Sequence, residues 1–211
     1  MEYTAIKNLA LAYADREDVE VINNIDNMLY MVESNINTRL QIGDMTERAT
    51  LPMDSEREYY CLPPDFRGMR TIQTYKLDET TGKKPLGSTQ NLAYLTPEQI
   101  NTLSGAVVCP FYTIINEQLL VRPTLDDGTI VEIVYYRKIP HLDALAPNNW
   151  ISDEYADLYV TGLTMEISDF VKDQEASQLW RGRFDDAVAR IKRADWNERW
   201  SGNAPMLMRT L

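Results

Sequence analysis

Apolar side chains between Val19 and Leu40 fall at Ile22, Ile25, Leu29, Val32, Ile36 and Leu40, spacings of three and four that line one face of a long helix. Gly43 follows that run. Upstream, "YTAIKNLALAYAD" sets Ile6, Leu9, Ala10 and Tyr13 on one stripe, and the acidic "DREDVE" behind it marks a turn and a fresh start. Past Gly43 the period changes. The segments "TERATLPM", "EYYCLP", "RTIQTYKL", "YTIINEQLLVRP" and "TIVEIVYYRKIP" are rich in β-branched and aromatic residues and are punctuated by turn-formers, as an antiparallel β region requires. Within it, "LTPEQINTLS" offers Thr96 as N-cap, Pro97 at the first helical position and Gln99 to complete a capping box, which predicts a short helix among the strands. "NEQ" at Asn116–Gln118 and "DDG" at Asp126–Gly128 suit hairpin turns. From Asp153 the helical period returns, first with Tyr155, Leu158, Tyr159, Leu163, Ile167 and Phe170. After a break near Asp173 come Leu179, Phe184, Ala187, Val188, Ile191 and Ala194.

Helices, strands, helices: the economical packing joins the two ends of the chain into a helical bundle and leaves the strands as an excursion between them. The expected fold class is α+β, with residues 1–43 and 150–200 as the bundle and 44–149 as an inserted, β-rich domain. Residues 201–211, "SGNAPMLMRTL", form an extended tail in this reading, because Gly202 and Pro205 keep the backbone out of a helix. Ala204, Met206, Leu207, Met208 and Leu211 have no spacing that would bury them on their own chain. Another polypeptide is expected to cover them.

Composition changes this picture little: 44% hydrophobic and 25% charged among 211 residues is ordinary globular usage. Charge changes it more. The net charge is −11, and the acidic excess is spread along the chain, so the surface repels phosphate and argues against a protein that grips DNA or anionic lipid. A surface past which DNA must slide without sticking remains compatible. No apolar run reaches the length of a membrane span and the first residues lack a signal-peptide pattern, so synthesis in the cytoplasm is expected. Cys61 and Cys109 stand far apart among apolar neighbours and read as two buried free thiols.

Candidate chemistry is sparse. His141 is the only histidine and nothing near it resembles a nucleophile elbow, so a surface or structural role is expected. Asp126–Asp127 and Asp185–Asp186 are adjacent pairs that cannot face each other across a cleft as an acid and a base must, and read as solvated charge. Phosphate-cradling glycine loops and metal-ligand spacings are both missing, which disfavours an enzyme and predicts no cofactor, no metal and no catalytic residue. The helix "WRGRFDDAVARIKRADWNERW" is more informative: Trp196 and Trp200 lie at i and i+4 beside Arg193 and Arg199, residue types that interfaces favour. Closing the end of a bundle would explain the tryptophans equally, and the helix dipole would explain the arginines.

Taken in order, "NMLYMVESNINTRLQIGDMTERAT", "YYCLPPDFRGMRTI", "LAYLTPEQI", "YTIINEQLLVRP", the long run from "VEIVYYRKIPHLDALAPNNW" to "FDDAVARI", and "WSGNAPMLMR" resemble the head-tail adaptor family of short-tailed bacteriophages over nearly the whole chain. The most specific pieces are "LPPDF", "VYYRKIP", "NNWI" with "DLYVTGLTME", and the terminal "SGNAPMLMR". The resemblance implies a non-enzymatic virion protein at the head-tail junction, twelve copies forming a ring under the portal protein, with a tail or nozzle protein beyond. Genomic DNA would pass through without specific binding, and no membrane is involved. It also implies that the C-terminal tail docks on the portal through Pro205, Met206, Leu207, Met208 and Arg209, with Trp196 and Trp200 as further contacts. Physics supports such a tail, since flexible Met206 and Met208 with Leu207 can fill irregular grooves. Burial of roughly 100 Å² on each would contribute on the order of 7 kcal/mol before ordering costs. Of a different class is a carbohydrate- or receptor-binding module of a virion, with Tyr59, Tyr60, Tyr135 and Tyr136 as a stacking surface.

Overall fold

The computed structural model describes residues 1–78, 80–85, 87–102 and 109–200, of which 198–200 are described by backbone alone. In chain order the elements are α1 (Tyr3–Ala14), α2 (Val19–Arg39), β1 (Thr46–Pro52), β2 (Tyr59–Cys61), β3 (Phe66–Lys76), β4 (Gln90–Asn91), β5 (Ala93–Tyr94), α3 (Pro97–Asn101), β6 (Phe111–Ile115), β7 (Gln118–Arg122), β8 (Thr129–Arg137), α4 (Trp150–Glu154), α5 (Ala156–Phe170) and α6 (Gln174–Trp200). The class is α+β, with helices at both ends and strands between them. Two compact units result: Met1–Gly43 with the chain from Ile139 on, and Asp44–Lys138.

In the helical unit, α1, α2 and α6 all pack against α5. That position explains why α5 is buried on nearly every side, from Leu158 to Ser168, instead of on one stripe. Its Thr164 and Ser168 hydroxyls are satisfied on their own helix, each donating to the carbonyl four residues back at 2.8 Å. Gly162 marks the closest approach. A Cβ there would lie 2.7 Å from Val32 Cγ1 on α2 and 3.0 Å from the Phe184 ring on α6.

The apolar stripes differ from the periodic expectation at two places. On α2, Val21 is buried and Ile22 is 47% exposed, because Ile22 sits on the flank and lines a shallow cleft with Asn8, Leu11 and Ala12. On α6, Trp180 is buried and Leu179 is 55% exposed. Trp180 lies four residues before Phe184, continues the stripe, and stacks on Tyr13 of α1 at 5.3 Å between ring centroids. The break near Asp173 is present: Lys172 adopts a left-handed conformation at φ 62° after α5 ends.

The β unit holds two four-stranded sheets, in the orders β1-β8-β3-β4 and β2-β7-β6-β5. Inward-facing Val131, Ile133 and Tyr135 of β8 meet Leu119 and Val121 of β7, Ile72 of β3 and Tyr60 of β2 in one core. The β6–β7 hairpin pairs Ile115 with Gln118 across Asn116 and Glu117, both at positive φ, as a two-residue turn demands. Pairing is antiparallel except between β5 and β6, which run parallel. The purely antiparallel expectation fails there because α3 supplies the crossover that a parallel neighbour needs. That short helix begins as expected, with Thr96 accepting from the Gln99 amide and Gln99 Oε1 accepting from the Thr96 amide at 3.1 Å.

Two further expectations need correction. Cys61 and Cys109 are both free but exposed, not buried. In β2 the alternation turns Tyr60 inward and Tyr59 and Cys61 outward, while beside Cys109 it is Pro110 that is buried. The other concerns residues 139–149, which the sequence reading gave to the β-rich domain; the compact β unit ends at Lys138. The Ile139 amide donates to Asn37 Oδ1 at 2.9 Å and the Leu142 amide to Glu33 Oε1 at 2.8 Å, so this segment is tied to α2.

Candidate partner-binding surface

Residues 205–209 lie outside the described residues, and so does the Trp200 side chain. Trp196 is described and is 61% exposed, on the last turns of α6. One residue before it, Asp195 accepts a hydrogen bond from the Gly43 amide at 2.6 Å, which fixes this end of α6 to the chain leaving α2. Nearly three turns further back, Arg39 pairs with Asp185 at 2.6 Å and lies over the Phe184 ring. Trp196 therefore projects from a helix anchored along its length. Asp185 and Asp186 are both exposed, as solvated charge is expected to be, and Asp185 in addition forms this surface ion pair.

A buried polar network holds the surface between α2 and α5. Glu33 lies on the apolar stripe of α2, buried, where an uncompensated carboxylate would be costly. It accepts from the Leu142 amide and from the Tyr159 hydroxyl at 3.4 Å, and its second oxygen meets His141 Nδ1. Asn149 donates to Tyr159 Oη and to the Pro140 carbonyl, both at 2.8 Å, and caps α4 by accepting from the Ser152 amide at 2.9 Å. The terminal ammonium of Met1 reaches the Ser152 carbonyl. Burial first, and then Glu33 acting against the Asn149 amide, raises the Tyr159 pKa strongly, so its hydroxyl is a donor across ordinary pH. "PHLD", "NNWI" and "DLYV" are thus parts of one construction. His141 is structural, as expected, with an exposed edge against which Tyr30 packs.

Sequence reasoning passed over Glu33, Asn149 and Tyr159 as a group. The available signal was a single carboxylate at buried helical spacing in a chain with a single histidine.

In the β unit, "LPPDF" and "VYYRKIP" meet as well. Asp65 accepts from the Tyr135 hydroxyl at 2.9 Å, and its carbonyl accepts from the Lys138 amide at 2.7 Å. Burial and the Asp65 carboxylate push the Tyr135 pKa up to about 12. Tyr60 is also consumed internally, its hydroxyl donating to the Asp54 carbonyl at 2.8 Å. With Tyr60 and Tyr135 buried in the core, the four tyrosines form no common stacking face.

Opposite the core, the first sheet carries a second charged cluster. Glu132 of β8 is buried and accepts from the Gln73 amide at 2.7 Å, with Lys84 Nζ 3.4 Å from each of its oxygens. Lys84 also lies 4.5 Å above the Tyr75 ring. This locates the polar stretch between β3 and β4: Lys84 fastens it over the outer face of the sheet. Burial pulls the Glu132 pKa up, but Gln73, Lys84 and Arg48 outweigh it and leave the carboxyl below its ordinary range.

Asp126 and Asp127 lie apart from that cluster, Asp126 pairing with Lys76 and Asp127 accepting from the Ser55 amide at 2.6 Å. Among the described residues, no group of three His, Cys, Asp or Glu side chains is placed to hold a metal ion, and no helix is long and apolar enough to cross a membrane.

The arrangement is one of anchored helices and satisfied polar clusters, with exposed aromatic and apolar side chains on rigid supports. Chemically it can bind a macromolecule. Compared with models of known protein families, residues 1–209 match that of the SU10 adaptor protein. No curated protein matches the chain.

Proposed function

The chain belongs to the SU10 adaptor protein family, structural adaptors of the phage virion, and from that premise we propose that it assembles as a ring between portal and tail. The ring of about twelve copies sits under the portal vertex, with the genome leaving through its centre. Support for this reading comes chiefly from the extent of the match, which spans both the helical and the β units and runs into the last residues.

Portal contact falls to Pro205, Met206, Leu207, Met208 and Arg209, with Trp196 and Trp200 beside them. The warrant for the first five is their composition: apolar anchors that no periodicity assigns to the chain's own core. Around a ring, a modest gain per copy becomes tight attachment through avidity. The net charge of −11 suits a channel that must not hold phosphate.

The test is the mass of the purified chain alone and mixed with its portal, by sedimentation, for the full chain and for a truncation before Gly202. The full chain is expected to assemble on the portal and the truncated one to lose that binding. Unchanged binding by the truncation removes the tail from the contact, and a monomer in every mixture removes the ring. Saccharide binding by the β unit would favour the receptor-binding alternative, against which the internal use of Tyr60 and Tyr135 weighs.

A further inference from the structure

Solvent-facing positions of α2 between Asn23 and Thr38 carry a single charge, Asp26, at the edge of an otherwise neutral row. The neutral positions are Asn23, Asn27, Tyr30, Met31, Ser34 and Thr38, all exposed. Two acidic residues occur in the same span. Asp26 is tied to Lys7 of α1 at 2.7 Å, and Glu33 is buried in its network. Beyond Asp26, charge is found at the two ends, with Glu20 in the first turn and Arg39 in the last.

The other long helix of this unit provides the contrast. On α6 the exposed positions include Arg181, Arg183, Asp185, Asp186, Arg190 and Lys192, the pattern of a face left to solvent. A nearly neutral stripe about 24 Å long, with ion-paired Asp26 as its one exposed charge, is therefore a property of α2 alone among the two. It is also a poor choice for a helix exposed to water. Asparagine, serine and threonine form helix less well than the lysine, glutamate and glutamine that solvated faces favour. At the middle of the stripe stand Tyr30, 65% exposed, and Met31, 54% exposed. Tyr30 is set in place beforehand by its edge contact with the His141 ring at 6.0 Å, and that ring is held by Glu33. A pre-oriented aromatic beside an adaptable methionine, rimmed by neutral amides and hydroxyls, is the make-up of a contact centre.

We propose that this face of α2 is the seam against which a second copy of the chain docks. Charge selects that occupant. Each copy carries −11, so a contact between copies is least opposed where neither side presents unpaired carboxylates, whereas a face suited to a basic partner would present acidic groups. The proposal rests on the reading that copies associate, and it adds where they touch.

Two experiments on the full chain test it. In the first, a photo-crosslinking benzoyl-phenylalanine replaces Tyr30, and the protein is irradiated in the presence of its portal. The expected product is a covalent dimer of the chain; crosslinks to the portal alone, or none in a preparation whose mass shows assembled copies, overturn the proposal. In the second, Asn27→Glu with Met31→Glu places two carboxylates on the stripe, and Lys192→Glu places one on the charged face of α6. The concentration needed for association rises about a hundredfold for the first variant and stays unchanged for the second. Equal behaviour of the two variants, both melting as the parent does, overturns the seam. A parent chain that never associates, with or without portal, overturns the ring reading itself and is told apart because it needs no variant.

Discussion

Glu166, half-buried on α5, has its carboxyl pKa raised by burial and by the neighbouring Asp169, with Arg181 acting the other way. A carboxyl whose folded pKa is raised costs stability wherever it is ionised and costs nothing below its unfolded value. Glu166→Gln should therefore raise the melting temperature at pH 7, and the gain should vanish below about pH 4, a comparison read from thermal melts across that range. Glu33 is a buried carboxyl whose two oxygens are both engaged. Replacing it with alanine strands the Leu142 amide and removes the partner of His141, and should cost about 3 kcal/mol in urea unfolding. Of these side chains the sequence revealed position but not partnership. Glu33 and Leu142 are 109 positions apart, and nothing local in either says that a carboxylate will receive that amide.

Where helices pack against one another, side-chain volume sets the tolerance. Gly162 lets α5 approach α2 and α6, and Gly162→Ala brings a Cβ to 2.7 Å from a β-branched side chain that cannot rotate freely. Alanine's better helix propensity, about 1 kcal/mol, is outweighed by overpacking. A net loss of about 2 kcal/mol is expected by chemical denaturation. In the first sheet, the Glu132 carboxyl is lowered in the folded state, so its contribution is present above the ordinary carboxylate value and is lost as pH falls through the lowered one. Protease cleavage between Leu77 and Gln90 should accordingly accelerate in the parent chain as pH falls below the ordinary carboxylate value of about 4.5. Lys84→Ala should show fast cleavage at all pH values, since it removes the clasp over Tyr75 and Glu132. Most element boundaries were legible from period and punctuation. The parallel β5–β6 pair was not, because β5 has only two residues and so carries no readable alternation.

For the molecule as a whole, the β unit begins and ends on paired strands: Thr46 of β1 lies opposite Tyr136 of β8. Its two ends are therefore neighbours about 5 Å apart, and residues 44–138 carry a core of their own. Expressed separately, that segment should melt cooperatively and show dispersed amide resonances; a collapsed, undispersed spectrum would mean that it depends on the helices. Charge also acts at this level. Copies of net charge −11 repel at a distance whatever their contact face, so association should strengthen as ionic strength rises from about 0.05 to 0.5 M, measured by sedimentation.

Periodicity alone determined the order of helices and strands and the capped start of α3, because those follow from forces between residues a few positions apart. The likeness to the adaptor family rests separately on motifs spread along the chain's length. Tertiary structure decided the rest: that Trp180 and not Leu179 faces inward, that Tyr60 and Tyr135 serve the core, that both thiols face water, and that Glu33 gathers His141, Leu142 and Tyr159. Each depends on which surface a distant segment brings to bear, and burial is a property of that pairing and not of any one stretch of sequence.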